Sequence, residues 1–200
     1  TRDAAPDFTG AVLAGLDLSG LDFTAAILVG ADLQHARLTG ARLLSADLTD
    51  ANLAGADLTD ANLDVTTLRR ATFISAKLVR ASLFGTILEE ADLRGADLSG
   101  ARIFGYFRKA KLAGAVFRGA NIGADPGNQS MGVMRSTFVG ADLTGADLSD
   151  ANLFKADLSY AILRDALLVR TNLRNTELVE TDLTGADLTG AQLANADISG

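Results

Sequence analysis

A large apolar side chain, usually leucine, recurs at every fifth residue from Phe8 almost without interruption to Ile198, and the residue two before it is usually alanine. Ala31-Asp32-Leu33-Gln34-His35, Ala51-Asn52-Leu53-Ala54-Gly55 and Ala186-Asp187-Leu188-Thr189-Gly190 are typical copies of one Ala-(Asp/Asn)-Leu-x-x unit. A period of five fits neither the 3.6 of a helix nor the 2 of a strand, so it predicts a repetitive coil with a turn in every unit. Alanine and leucine alternate about the Asp or Asn, which places both inward and the residue between them toward solvent, as in a short strand. The two residues after leucine are small or polar. The second is often glycine, as in Gly10, Gly30 and Gly55, which suits the third position of a type II turn with its positive φ.

The charges give the coil length. At intervals of twenty the residue before the central leucine reads Asp17, Arg37, Asp57, Lys77, Asp97, alternating in sign, and the second residue after it reads Asp50, Arg70, Glu90 and then Lys109. Four pentapeptides per coil would stack each series in one vertical file at strand spacing, about 4.8 Å, where opposite charges attract. With this unit the chain resembles the pentapeptide-repeat family over nearly its whole length. The resemblance implies an all-β fold, a right-handed quadrilateral β-helix solenoid with four pentapeptides, twenty residues, per coil. About ten coils would make a rod of roughly 45 Å. The expected organisation is a tail over residues 1–7 and a single repeat domain over 8–200, interrupted by a loop at about 123–132.

The repeat falters twice. Phe107 follows Ile103 by four residues instead of five, and after Ile122 an irregular stretch, Gly123 to Gly132, precedes a return to the original phase by Phe138. If the face of Phe8 is face 1, both faults lie where face 4 passes into face 1. Beside that corner the outward positions Phe84, Ile87, Phe104 and Tyr106, with Leu44 and Ile27 further along, break the polar rule. An exposed apolar strip beside an irregular loop marks an interaction surface; the alternative is that the loop folds over these side chains and shields them.

Apolar residues make up 48% of the chain, yet polar residues interrupt every pentapeptide and leave no span long enough for a bilayer, so a soluble protein is expected. With no cysteine, the chain fits a reducing or an oxidising compartment. It reads as cytoplasmic, or as exported or lumenal after loss of an N-terminal signal. The last unit is still in register where the sequence stops, which suggests a fragment or end-to-end stacking; end-to-end or side-to-side homodimers are both expected forms.

Nothing in the pattern carries catalysis. His35, the one histidine, falls at an outward turn without an acid or nucleophile arranged around it. The glycines follow turn geometry and not a phosphate-binding motif, and no zinc-ligand spacing or nucleophile elbow occurs, so no enzyme, cofactor or metal is expected. Arg69-Arg70 and Arg108-Lys109 should be neutralised by Glu89-Glu90 between them, so direct nucleic-acid binding is not expected. The formal charge of −7 is uneven: residues 138–200 hold ten acidic against four basic side chains, leaving −1 for the first 137. There Asp157, Glu177 and Asp197 should form a like-charged file, and Asp142 and Asp182 lie two coils apart on the next face. The first functional expectation is a non-catalytic scaffold or protein-interaction module. The second comes from the resemblance: some family members mimic duplex DNA in width and charge and protect type II topoisomerases, which makes DNA gyrase a candidate partner of the acidic coils.

Overall fold

Each pentapeptide has five backbone N–H groups that need acceptors, and the unit beginning at Ala51 shows how the fold supplies them. Ala51 N–H donates to the Leu48 carbonyl at 3.0 Å and closes the preceding turn. Asn52 N–H reaches Ala31 O of the previous coil at 2.9 Å, while Leu53 and Gly55 donate to Thr72 O and Ile74 O of the following coil at 2.7 and 2.9 Å. The fifth group, Ala54 N–H, is met by the Asn52 side-chain oxygen at 3.2 Å. A computed structural model describes residues 5–124 and 135–200, and this bonding pattern recurs along both segments.

The outward residues pair in parallel one coil apart. On face 1 they form a file of ten rungs: Asp7, Ile27, Asp47, Thr67, Ile87, Tyr106, Thr137, Asp157, Glu177 and Asp197. Asp17, Arg37, Asp57, Lys77 and Asp97 are likewise consecutive rungs on face 3, which establishes the twenty-residue coil. Arg37 bonds Asp17 at 3.1 Å, and Arg70 grips Asp50 with two contacts of 2.7 Å. The interior is a stack of alanines and leucines, nearly all fully buried, among them Ala51, Leu53, Ala56 and Leu58. Where a hydroxyl takes the alanine place it donates to a backbone carbonyl, as Thr171 does to Leu148 O at 2.8 Å and Thr176 to Leu173 O at 2.6 Å.

Left-handed backbone at the second turn position belongs to the turn and not to glycine. Ala25, His35, Arg70 and Tyr160 have φ values of 58°, 56°, 53° and 60° there. Each such L residue costs about 1–2 kcal/mol, which the cross-coil bonding overrides.

The four-residue step is absorbed by the two longest strands, β1 (Ser82–Ile87) and β2 (Arg102–Tyr106). Phe84 pairs with Phe104 but Thr86 pairs with Gly105, so Gly85 (φ 74°) bulges out as the extra residue. Gly105 has no room for a side chain: a β-carbon would sit 2.8 Å from the Thr86 hydroxyl and 3.2 Å from its carbonyl oxygen. Asp92 then pairs with Lys111, nineteen residues on, and Lys111 with Asp142, thirty-one on. The expected loop over 123–132 lies outside the described residues except for Gly123 and Ala124, whose N–H bonds Phe154 O at 2.9 Å. Larger core side chains gather at this seam, with Phe107 stacked on Phe138 at 4.5 Å and Phe117 edge-on to Phe138 at 6.5 Å.

Leu58 has no solvent exposure, so Leu58→Asp puts an unpaired carboxylate into the leucine column and should destabilise the protein by about 4 kcal/mol or more. Asp57→Asn keeps the turn acceptor and should cost under about 1 kcal/mol. Urea unfolding of the two variants, followed by far-ultraviolet circular dichroism, checks the contrast.

Candidate interaction surface

The bulge carries the aromatic cluster. Asp64, in the coil before, accepts hydrogen bonds from Phe84 N–H at 2.8 Å and the Ser82 hydroxyl at 2.6 Å, which pins β1. The Phe84 and Phe104 rings lie 5.2 Å apart, Tyr106 stands edge-on to Phe104 at 6.3 Å, and the Arg102 guanidinium covers the Phe84 ring at 5.1 Å. Phe84 and Ile87 are half-buried, Tyr106 is 42% exposed, and Val65 beside them is 55% exposed. Phe104 departs from the expectation of an outward aromatic: it is buried, because the shortened corner carries it against Phe84 and under Tyr106. The strip therefore presents Tyr106, Ile87, Val65 and the edge of Phe84, with Phe104 as its floor. Ile27 is exposed and Leu44 half-buried further along.

The acidic file is real but not bare. Asp157, Glu177 and Asp197 are consecutive rungs on face 1, yet Arg135 reaches across two of them, 3.5 Å from Asp157 and bonded to Glu177. The expected like-charged file is present, and one guanidinium neutralises part of it. Asp142 and Asp182 share a file with Ile162 between them, and Arg164 bonds Asp182 at 2.5 Å. Arg69 bonds Glu89 at 3.1 Å, but among the described residues Arg108 and Lys109 form no ion pair with Glu89 or Glu90, so the expected neutralised ladder is met on one side only.

The aspartates before leucine do more than face water. Their side-chain oxygens accept from the otherwise unpaired N–H of the first turn residue: Asp7 from Thr9 at 2.9 Å, Asp47 from Thr49 at 2.9 Å, Asp142 from Thr144 at 3.0 Å and Asp187 from Thr189 at 2.9 Å. These bonds hold the carboxyls of Asp7, Asp17, Asp22, Asp57, Asp187 and Asp197 below the usual 3.8. Asp182, bonded by Thr184 and then by Arg164, falls to about 2. The recurrent Asp-Leu-Thr and Asp-Leu-Ser triplets were the sequence signal for this Asx-type cap. Arg135, by contrast, stands outside the repeat pattern, and its reach to the second coil could not be read from spacing.

His35 is exposed at a turn, its ring lying over Gly55, where a β-carbon would come within 2.4 Å of Nδ1. Among the described residues no group of His, Cys, Asp or Glu is placed to hold a metal ion, and no helix is long and apolar enough to cross a membrane.

A family model described as pentapeptide repeats matches in eight copies over residues 7–43, 46–83, 76–103, 134–168 and 166–200. Among solved structures, the chain is 30% identical to HetL, a pentapeptide repeat protein involved in heterocyst differentiation regulation from the cyanobacterium Nostoc, covering 96% of this chain and 87% of that one with a TM-score of 0.36. It is 21% identical to QnrB1, a plasmid-mediated fluoroquinolone resistance protein, over 90% of both chains with a TM-score of 0.46. A pentapeptide repeat protein of the Arabidopsis thaliana thylakoid lumen is 23% identical over 90% of this chain and 66% of that one, with a TM-score of 0.28. Comparison with curated proteins gives no match.

The caps set the acid response. A carboxyl whose folded pKa lies below its unfolded value contributes stability that is fully present above about pH 4–5 and is lost as the pH falls through the folded value. The thermal midpoint should therefore be level from about pH 7 to 5 and fall steadily below about pH 4, toward the value of about 2 at Asp182. A thermal series across that range checks it; a midpoint unchanged down to pH 2 would contradict the capping role.

Proposed function

We propose that this chain, which belongs to the pentapeptide-repeat family, is a non-catalytic protein-interaction module that meets its partner at the corner formed by β1 and β2. The observation that carries the reading is the register fault itself. Regular coils carry single apolar rungs such as Val12, Ile162 and Leu167 among polar ones, whereas here a bulge, a glycine without room for a side chain and an aromatic stack hold Tyr106 and Ile87 outward on a rigid base. Apolar side chains held on stiff backbone lose little entropy on binding, the economy that interface hot spots share.

The burial of Phe104 decides which substitutions are informative. Phe104→Ser removes a packed ring and should lower stability by about 3 kcal/mol. Tyr106→Ser changes an exposed side chain and Ile87→Ser a half-buried one, so together they should lower the thermal midpoint less than Phe104→Ser does while reducing partner capture or self-association. Sedimentation and pull-down with the double variant separate the two roles. Loss of stability without loss of binding would make these residues part of the packing alone.

The excess of carboxylates in residues 138–200 favours a second reading, in which the C-terminal coils present a DNA-like charge to a type II topoisomerase such as gyrase. Arg135 weakens it by neutralising part of the Asp157–Glu177 pair. In a supercoiling assay this reading expects an effect of the protein that disappears on joint reversal of Asp157, Glu177 and Asp197 to lysine while the β-rich circular dichroism persists. An equal effect from that variant, or none from the native protein, removes it.

A further inference from the structure

From Ser99 to Ala124 the chain has no acidic residue and five basic ones, Arg102, Arg108, Lys109, Lys111 and Arg118, although the whole protein carries −7. This stretch is five pentapeptides, a little more than one coil, and it holds Phe104 and Tyr106. Another acid-free stretch, between Asp64 and Glu89, carries Arg69, Arg70, Lys77 and Arg80, but its arginines bond carboxylates of adjoining coils: Glu89, Asp50 and Asp60. The seam coil differs. Arg118 bonds Asp147 of the next coil, whereas Arg102, Arg108, Lys109 and Lys111 form no ion pair among the described residues, and all four are exposed.

Their placement is not diffuse. Arg102 stands on face 4 with its guanidinium over Phe84, Tyr106 faces outward on face 1, Arg108 and Lys109 occupy the turn that follows, and Lys111 is the next rung on face 2. The apolar strip is thus flanked by cations on both sides. Glu89 at its rim is engaged by Arg69, and Glu90 is the neighbouring carboxylate without an ion pair among the described residues. Lys111 already lies between the Asp92 and Asp142 rungs, so a neutral or basic partner would leave Arg102, Arg108 and Lys109 without an ion pair and gain only the apolar contact. A partner with carboxylates around an apolar anchor would satisfy both, and would be steered to this one coil by the repulsion of the acidic remainder.

Resting on the corner as the docking site, we propose that its partner is an acidic protein segment, in which one or two apolar side chains cover Tyr106 and Ile87 while flanking Asp or Glu residues pair with Arg102 and with Arg108-Lys109. The same protein then carries two opposite electrostatic surfaces: a basic, aromatic waist and acidic C-terminal coils.

The test uses the full chain and three fluorescein-labelled synthetic peptides that share one pattern of Leu and Phe and carry Glu, Gln or Lys at the intervening positions, with an oligo-dT strand of matching charge as a fourth probe. Fluorescence anisotropy at low salt should show the Glu peptide binding at least about tenfold more tightly than the other three probes. That affinity should fall by about tenfold or more in Arg108→Glu/Lys109→Glu and in Arg102→Glu, survive in Arg108→Lys, and weaken with added salt. Circular dichroism and thermal midpoints verify that each variant is folded. Equal binding of the Glu and Gln peptides, lost in Tyr106→Ser, overturns the acidic partner and leaves the corner reading standing. Preference for the Lys peptide or for oligo-dT overturns the proposal, and absence of binding by every peptide overturns the proposal and the corner together.

Discussion

Satisfaction of the backbone N–H groups is the constraint on which everything else in this protein rests. In a solenoid of two-residue bends and single-residue bridges there is no long ladder to absorb errors, so each pentapeptide must place all five of its donors. Four find carbonyls in the turn or in adjacent coils, and where the outward residue is Asp or Asn its side chain meets the fifth from within the unit. The outward slot before leucine therefore favours Asp and Asn while being exposed. A protein built this way accumulates aspartate, and its acidity is first a consequence of turn capping.

Cross-coil bonding also explains why the register fault is so local. The chain drops one residue between Ile103 and Phe107 and adds eleven to the coil in which Lys111 meets Asp142, yet the rungs on either side pair without slippage. The deficit is taken up at Gly85 and Gly105, one bulged out and the other pressed against Thr86, and the cavity that a misfit would open is filled by Phe107, Phe117 and Phe138. Such an arrangement is conformationally demanding, and nothing in the repeat requires it. That is the physical ground for the proposal that this corner meets a partner.

Electrostatics adds a second layer to the same scaffold. Vertical files let a cation in one coil answer an anion in the next, as Arg70 answers Asp50 and Arg170 answers Asp150 with contacts of 2.7 Å or less. Each pair is exposed and contributes little stability, so the pattern chiefly sets the charge that each surface presents. Along most of the rod the files cancel or leave carboxylates; at the seam Arg102, Arg108 and Lys109 stand without an ion pair among the described residues.

The five-residue period, the inward Ala and Leu, the twenty-residue coil and the position of both faults were legible in the sequence because each depends only on spacing along the chain. A solenoid contacts its own neighbours at a fixed offset, so local order is tertiary order for all regular positions. What spacing could not reveal lies where that offset changes. The burial of Phe104 depends on a bulge in the preceding coil, and the neutralisation of Asp157 and Glu177 depends on Arg135, a residue outside the repeat. That Arg102, Arg108 and Lys109 form no ion pair among the described residues follows from which side chains stand in the coils above and below after the shift. The sequence by itself determined the rod and its core; only the tertiary structure decided which charges and which aromatics remain available on its surface, because availability depends on neighbours brought close across a broken register.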